Sequence, residues 1–136
     1  MATSFGYAEV IALSQTGVQA AEQAFFANSS CILQASWFDA GGDPYLPKLV
    51  NYQLVALESG TVLQPWKSLT SASVQLVTVT AAQNTMVNLS REQETHRAMF
   101  QVTDQNDTMF TAEVDFIVVS PFAFGGVLGF ASAAVN

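Results

Sequence analysis

Residues 94–119, ETHRAMFQVTDQNDTMFTAEVDFIVV, decide the fold. In the second half, Phe110, Ala112, Val114, Phe116 and Val118 fall on one side of an extended chain, and Thr111, Glu113 and Asp115 fall on the other. A period of two with polar residues opposite apolar ones is the pattern of a half-buried antiparallel strand. Ala98, Phe100 and Val102 give the first half a matching apolar face. Residues 103–108, TDQNDT, carry the Asp and Asn that turn a chain by bonding their own backbone. The stretch reads as a β-hairpin.

Working outward, the spacing predicts further strands over residues 30–38, 50–57, 61–69 and 74–81. The turn signals between them are DAGGDP at 39–44 and Glu58-Ser59-Gly60. Pro65 interrupts the 61–69 strand and places it at a sheet edge. Residues 1–15 read as an extended arm ending in a short strand. In residues 16–27, Val18, Ala21, Phe25 and Phe26 fit a short amphipathic helix, with a strand running on into Cys31 as the alternative. About seven short strands at this spacing are the signature of an all-β, immunoglobulin-like antiparallel sandwich. The divisions are residues 1–28 as arm or helix, 29–119 as sandwich core, and 120–136 as an apolar C-terminal extension.

Composition limits what such a domain does. Half of the 136 residues are hydrophobic and 11% are charged, which excludes disorder for most of the chain. Four Lys and Arg against eleven Asp and Glu give a net charge of −7, a surface that repels phosphate backbones, so no nucleic-acid partner is expected. No cation precedes Lys48, so neither a secretory signal nor a transit peptide is read at the N-terminus. Cys31, the single cysteine, lies in an apolar run and reads as a small buried hydrophobe.

The search for chemistry yields no catalytic residue, no cofactor site and no metal site. His96 is the only histidine, and its phase with Ala98 and Phe100 makes it a core histidine held by hydrogen bonds. One His and one Cys are too few ligands for zinc or iron. Asp39/Asp43 and Asp104/Asn106/Asp107 could offer oxygens to calcium, but Asx-rich turns account for both. Glu58, Glu92 and Glu94 read as solvated surface. Sequons at Asn28, Asn88 and Asn106 matter only in a secretory pathway. No enzyme is expected.

Residues 120–136, SPFAFGGVLGFASAAVN, contain no charged side chain. The stretch is short for a bilayer, rich in glycine and without basic anchors, so no membrane span is expected. Two readings stand for it. It completes the core of its own subunit, or it docks on a neighbouring chain through Phe122, Phe124, Val127, Leu128 and Phe130.

The successions YQLVALESGTVLQPWKSLTSAS, VQLVTVTAAQNTM and REQETHRAMFQVTDQ resemble a group of small tailed-bacteriophage virion proteins. The shared pattern is a strand, "SGT", "W", a short Ser/Ala run, a Val/Thr strand ending in Ala-x-x-Asn, and an acidic–basic opening to the next strand. It falls here on Ser59-Gly60-Thr61, Trp66, Ala72, Ala82, Asn84, Glu94 and Arg97. The resemblance implies Trp66 as the plug of the core and Glu94 with Arg97 as a rim pair. It further implies a capsid decoration (cement) protein on the virion surface, made in the host cytoplasm. Such a protein is a homo-oligomer, usually a trimer, bound to the major capsid protein. The alternatives are a neck, tail or fibre-attachment component, or a carbohydrate-binding sandwich using Trp37, Tyr45 and Tyr52 near Asp39 and Asp43.

Overall fold

A computed structural model describes residues 5–13 and 24–120. Every regular element among them is a strand: β1 (Phe5–Leu13), β2 (Ala24–Phe26), β3 (Cys31–Asp39), β4 (Leu49–Ala56), β5 (Thr61–Leu69), β6 (Val74–Val79), β7 (Gln93–Thr103) and β8 (Met109–Val119). They form two sheets, one of three strands in the order β1-β3-β6 and one of five in the order β2-β8-β7-β4-β5. All ladders are antiparallel except β2 with β8, which is parallel. The chain changes sheet at every step except β4 to β5 and β7 to β8, which is the connectivity of an immunoglobulin-like sandwich.

The alternation of apolar and polar residues holds the two layers together. β7 and β8 pair over their whole length, from Gln93↔Val119 to Thr103↔Met109. That register brings the apolar faces read from the sequence to the same side. Ala98, Phe100, Val102, Phe116 and Val118 are enclosed there, with Cys31, Leu33, Ala35 and Trp37 of β3 opposite them. Trp37 packs edge-on against Phe100 at 5.8 Å, and Tyr52 of β4 lies 5.3 Å from the same ring. These aromatic contacts join the two sheets at the centre of the core.

The turns form as their residue types dictate. Asp104 Oδ1 accepts hydrogen bonds from the backbone N–H groups of Asn106 and Thr108, both at 2.9 Å. Asp39 Oδ1 accepts from Gly41 at 2.9 Å and Asp43 at 3.0 Å. In the tight β4–β5 turn Gly60 takes φ +73°, where a side chain is strained.

Several expectations change. Where an arm ending in a short strand is expected over residues 1–15, residues 5–13 form a nine-residue edge strand paired with β3 along its length. Within 16–27, residues 24–26 are strand β2 rather than helix, and residues 16–23 lie outside the described residues. Trp66 does not plug the core: it is 44% exposed on edge strand β5, and Trp37 fills the centre. Glu94 is neither solvated nor paired with Arg97. Strand alternation sends Glu94 inward and Arg97 outward, where Arg97 meets Asp115.

Candidate functional site

The polar cluster set deepest in the protein lies where β7 enters the sandwich. Glu94 and His96 are two residues apart, so both point inward, and both are enclosed. His96 Nε2 is 2.9 Å from Glu94 Oε2, and the imidazole packs edge-on against Phe116. The backbone N–H of Val87 donates to both carboxylate oxygens, at 2.9 and 3.0 Å, and that of Asn88 donates to Oε1 at 3.1 Å. Burial works to raise the carboxyl pKa. The bonds from Val87, His96 and Asn88 outweigh it and hold Glu94 below the usual carboxylate range. An ionised Glu94 is an acceptor only, so His96 Nε2 carries the donated proton.

This cluster clamps structure. A general base must reach a substrate proton, and His96 is wholly enclosed: Nε2 donates to Glu94, and Nδ1, which holds the lone pair, is buried away from solvent. Cys31 is equally enclosed, and burial pushes its thiol up to about 12, so the nucleophilic thiolate is not formed at neutral pH. Among the described residues no three His, Cys, Asp or Glu side chains converge in the way a metal ion requires.

The aromatic patch read near Asp39 and Asp43 does not reach solvent. Trp37 is fully enclosed, Tyr52 is 2% exposed and Tyr45 is 5% exposed. The Tyr45 hydroxyl accepts from the backbone N–H of Gln105 at 2.8 Å, tying two loops together. Asp39 and Asp104 spend carboxylate oxygens on their own turns, and Asp107 pairs with Lys48.

The two outer faces differ mainly in charge. The outer side of the five-stranded sheet carries charged groups together with exposed apolar residues, Leu49 and Met109 flanking Thr103 in one row. Arg97 forms a two-pronged pair with Asp115, at 2.7 and 3.0 Å, beside Glu113. The outer side of the three-stranded sheet carries rows Glu9–Ser36–Val74 and Ile11–Gln34–Leu76, then Ile32–Thr78. Tyr7 stacks on Phe38 at 4.9 Å at one end of that side. Glu9 is the only charge among these residues, while Leu76 is 64% and Val74 50% exposed on edge strand β6.

A second open region is the seam between β1 and β8, a groove of about 380 Å³ lined by Phe5, Val10, Val102, Phe110 and Ala112 among others. The five tail residues Phe122, Phe124, Val127, Leu128 and Phe130 lie outside the described residues.

With this geometry in place, comparison with known proteins adds one relation. No protein-family model and no curated protein sequence matches the chain. Among solved structures, the PmoD soluble domain from Methylocystis sp. is similar. Its TM-score is 0.50 at 11% identity, covering 86% of this chain and 96% of that one. Identity this low shows a shared fold and nothing finer.

That finding corrects the virion reading. The structural relative is a bacterial domain and not a phage protein. The capsid-decoration role falls with it, as do the neck, tail and fibre-attachment roles. The physical reason is visible in the residues that carried the resemblance. Ser59-Gly60-Thr61 is a turn, Trp66 sits on a sheet edge, and Asn84 closes a loop by donating to the Ser29 carbonyl at 2.8 Å. Glu94 is a core clamp. Each serves a turn, an edge, a loop or the core of this fold, and none is specific to a virion. The carbohydrate-binding alternative falls too, because its aromatics are core residues.

Proposed function

We propose that this chain is a non-catalytic assembly module, a β-sandwich that works by associating with copies of itself. The observation that carries the reading is the outer face of the three-stranded sheet, with exposed Val74 and Leu76 and a single charge at Glu9. A chain with a net charge of −7 repels its own copies, and that repulsion is smaller on a face where each copy brings one charge only. Apolar area on such a face is stabilised by leaving water. The chemistry points the same way, since the single histidine and single cysteine are both locked in the core.

Sedimentation of the full chain against a Leu76→Lys variant tests this. Leu76 lies outward on an edge strand, so the substitution leaves the fold intact and places a charge on the face. The wild type associates with rising concentration, and the variant needs at least about tenfold more protein, equivalent to about 1.4 kcal/mol. Equal association of the two removes this face from the interface.

A further inference from the structure

The three-stranded sheet is narrower than the five-stranded sheet it covers, and the step between them falls beside β6. On one side of the sandwich β1 meets β8, with Phe5 5.0 Å from Phe110. On the other side β6 ends one sheet and β5 ends the other. β6 is bonded to β3 alone, in an unbroken register from Cys31↔Val79 to Ser36↔Val74. The Trp37 N–H donates to the Ser73 carbonyl at 3.0 Å, which fixes the phase of that ladder. In an antiparallel pair, residues that exchange hydrogen bonds alternate with residues whose N–H and C=O groups point away. Gln75, Val77 and Val79 therefore bond to β3, and Val74, Leu76 and Thr78 turn their backbone groups outward. Among the described residues no hydrogen bond takes those groups up.

The two edges at the step are built differently. β5 carries Pro65, Lys67 and a ladder that shifts register twice, all devices that keep a foreign strand off an edge. β6 has none of them. Its sequence, VQLVTV, holds no proline and no charge, and residues 68–90 contain no charged side chain at all. An edge that is regular, rich in β-branched residues and uncharged is one that accepts another strand.

Lys67 sets what that strand must carry. Val50 and Tyr52 are buried on the inner side of β4, and their partners across the ladder are Leu69 and Lys67. Paired residues share a face, so Lys67 lies on the inner side of β5. It is nevertheless exposed, since β6 does not reach over it. Tyr52 packs on Phe100 and Phe100 on Trp37, whose N–H bonds to Ser73, so Lys67 stands level with the start of β6. Its ammonium meets no carboxylate among the described residues, whereas Lys48 pairs with Asp107 and Arg97 with Asp115. The step thus carries an unpaired positive charge in a chain whose net charge is −7.

We propose that β6 takes up an extended segment of a partner protein as a fourth strand of its sheet. The segment is apolar or β-branched beside Val74, Leu76 and Thr78, and it carries a carboxylate that meets Lys67 from above β5. Backbone bonds to the three outward residues supply affinity, and the carboxylate supplies the choice of partner. The site is the edge of the sheet and not its outer face, so it stands whether or not copies of the chain associate.

The test is hydrogen exchange at the amides of Val74, Leu76 and Thr78 in the full chain, diluted to monomer, with two capped synthetic peptides, GSVTVEVTSG and GSVTVKVTSG. The three amides are expected to exchange fast in the chain alone and at least about tenfold more slowly with the acidic peptide. The basic peptide is expected to bind about fivefold more weakly. At long range a net charge of −7 favours the basic peptide, so preference for the acidic one reports Lys67. Lys67→Glu is expected to reverse the preference. The Thr78 N–H points away from β3, so Thr78→Pro spares the ladder, and it is expected to block both peptides at Val74 and Leu76. Amides that are slow without peptide mean that the edge is covered by this chain if they stay slow on dilution, or by a second copy if they are slow only when concentrated, and either overturns the proposal. No slowing with either peptide overturns it, and so does equal binding of the two. Sedimentation without peptide reads self-association separately, and its absence leaves these results standing.

Discussion

Glu94 Oε2 and His96 Nε2 lie 2.9 Å apart between the two sheets, and through them the loop before β7 is tied to the core. The carboxylate accepts from Val87 and Asn88 as well, so one side chain fixes the end of a strand, a buried ring and a loop backbone. Hydrogen bonds to a charged acceptor are the stronger kind, and leaving buried donors unsatisfied adds a desolvation cost. Glu94→Gln keeps the shape and removes the charge. The expected loss is about 1–3 kcal/mol in chemical denaturation, with the slope of the transition unchanged. A loss below a few tenths would mean that the carboxylate charge is not what holds the loop.

The same residue sets a pH dependence. Its folded-state pKa is lowered, so the unfolded chain binds the proton more readily. The stabilisation is therefore complete above the ordinary carboxyl value of 4.5 and is lost as pH falls through the folded value. Denaturation midpoints across the acid range are expected to fall less steeply for Glu94→Gln than for the wild type. Parallel curves would assign the acid sensitivity to other carboxylates.

The two tryptophans separate core from edge. Trp37 is fully enclosed against Phe5 and Phe100, whereas Trp66 is 44% exposed beside Pro65. Trp37→Ala is expected to cost about 3–5 kcal/mol. Trp66→Ala is expected to change stability by no more than about 0.5 kcal/mol, as surface substitutions do. Fluorescence checks the assignment independently. Removing Trp66 should leave a blue-shifted, quencher-resistant emission, and removing Trp37 a red-shifted, accessible one.

These tryptophans also show what the sequence discloses. Trp37 is in phase with Cys31, Leu33 and Ala35, although Ile32 and Phe38 on the other face make the alternation weak. Trp66 follows Pro65 on a strand whose pairing with β4 shifts twice, and alternation there no longer reports the face. Strands β3, β4 and β6 to β8 were legible because each buries one side and period two records that burial, whereas β5 was read as the return strand after the Glu58-Ser59-Gly60 turn. Glu94 was legible by the same phase as His96, yet the neighbouring charges Glu92 and Arg97 made it look like rim. Which strands are neighbours was not legible, since alternation gives a residue's face and not its partner. The open seam is a property of that pairing. It emerges only when β2 is seen to cover three residues of β8 and no more.

Gly6 provides a test of how β1 is seated. At this point the β1–β3 register shifts, with Phe5 opposite Asp39 and Tyr7 opposite Phe38. A Cβ at Gly6 would lie 2.5 Å from the Asp39 carbonyl carbon and 2.6 Å from the Ala40 nitrogen. Both are backbone atoms of a turn already fixed by the Asp39 carboxylate, so the clash is relieved only by moving β1. Gly6→Ala is expected to cost about 1–3 kcal/mol, as overpacking does. The first residues of β1 should then exchange faster, and Phe5 should withdraw from Trp37, Tyr45 and Phe110. Gly41→Ala is the control, since its nearest neighbour is the Asp39 side chain at 3.4 Å and its backbone is not left-handed. Equal effects of the two substitutions would mean that the 39–42 turn yields, and that β1 is not held by close backbone contact at this point.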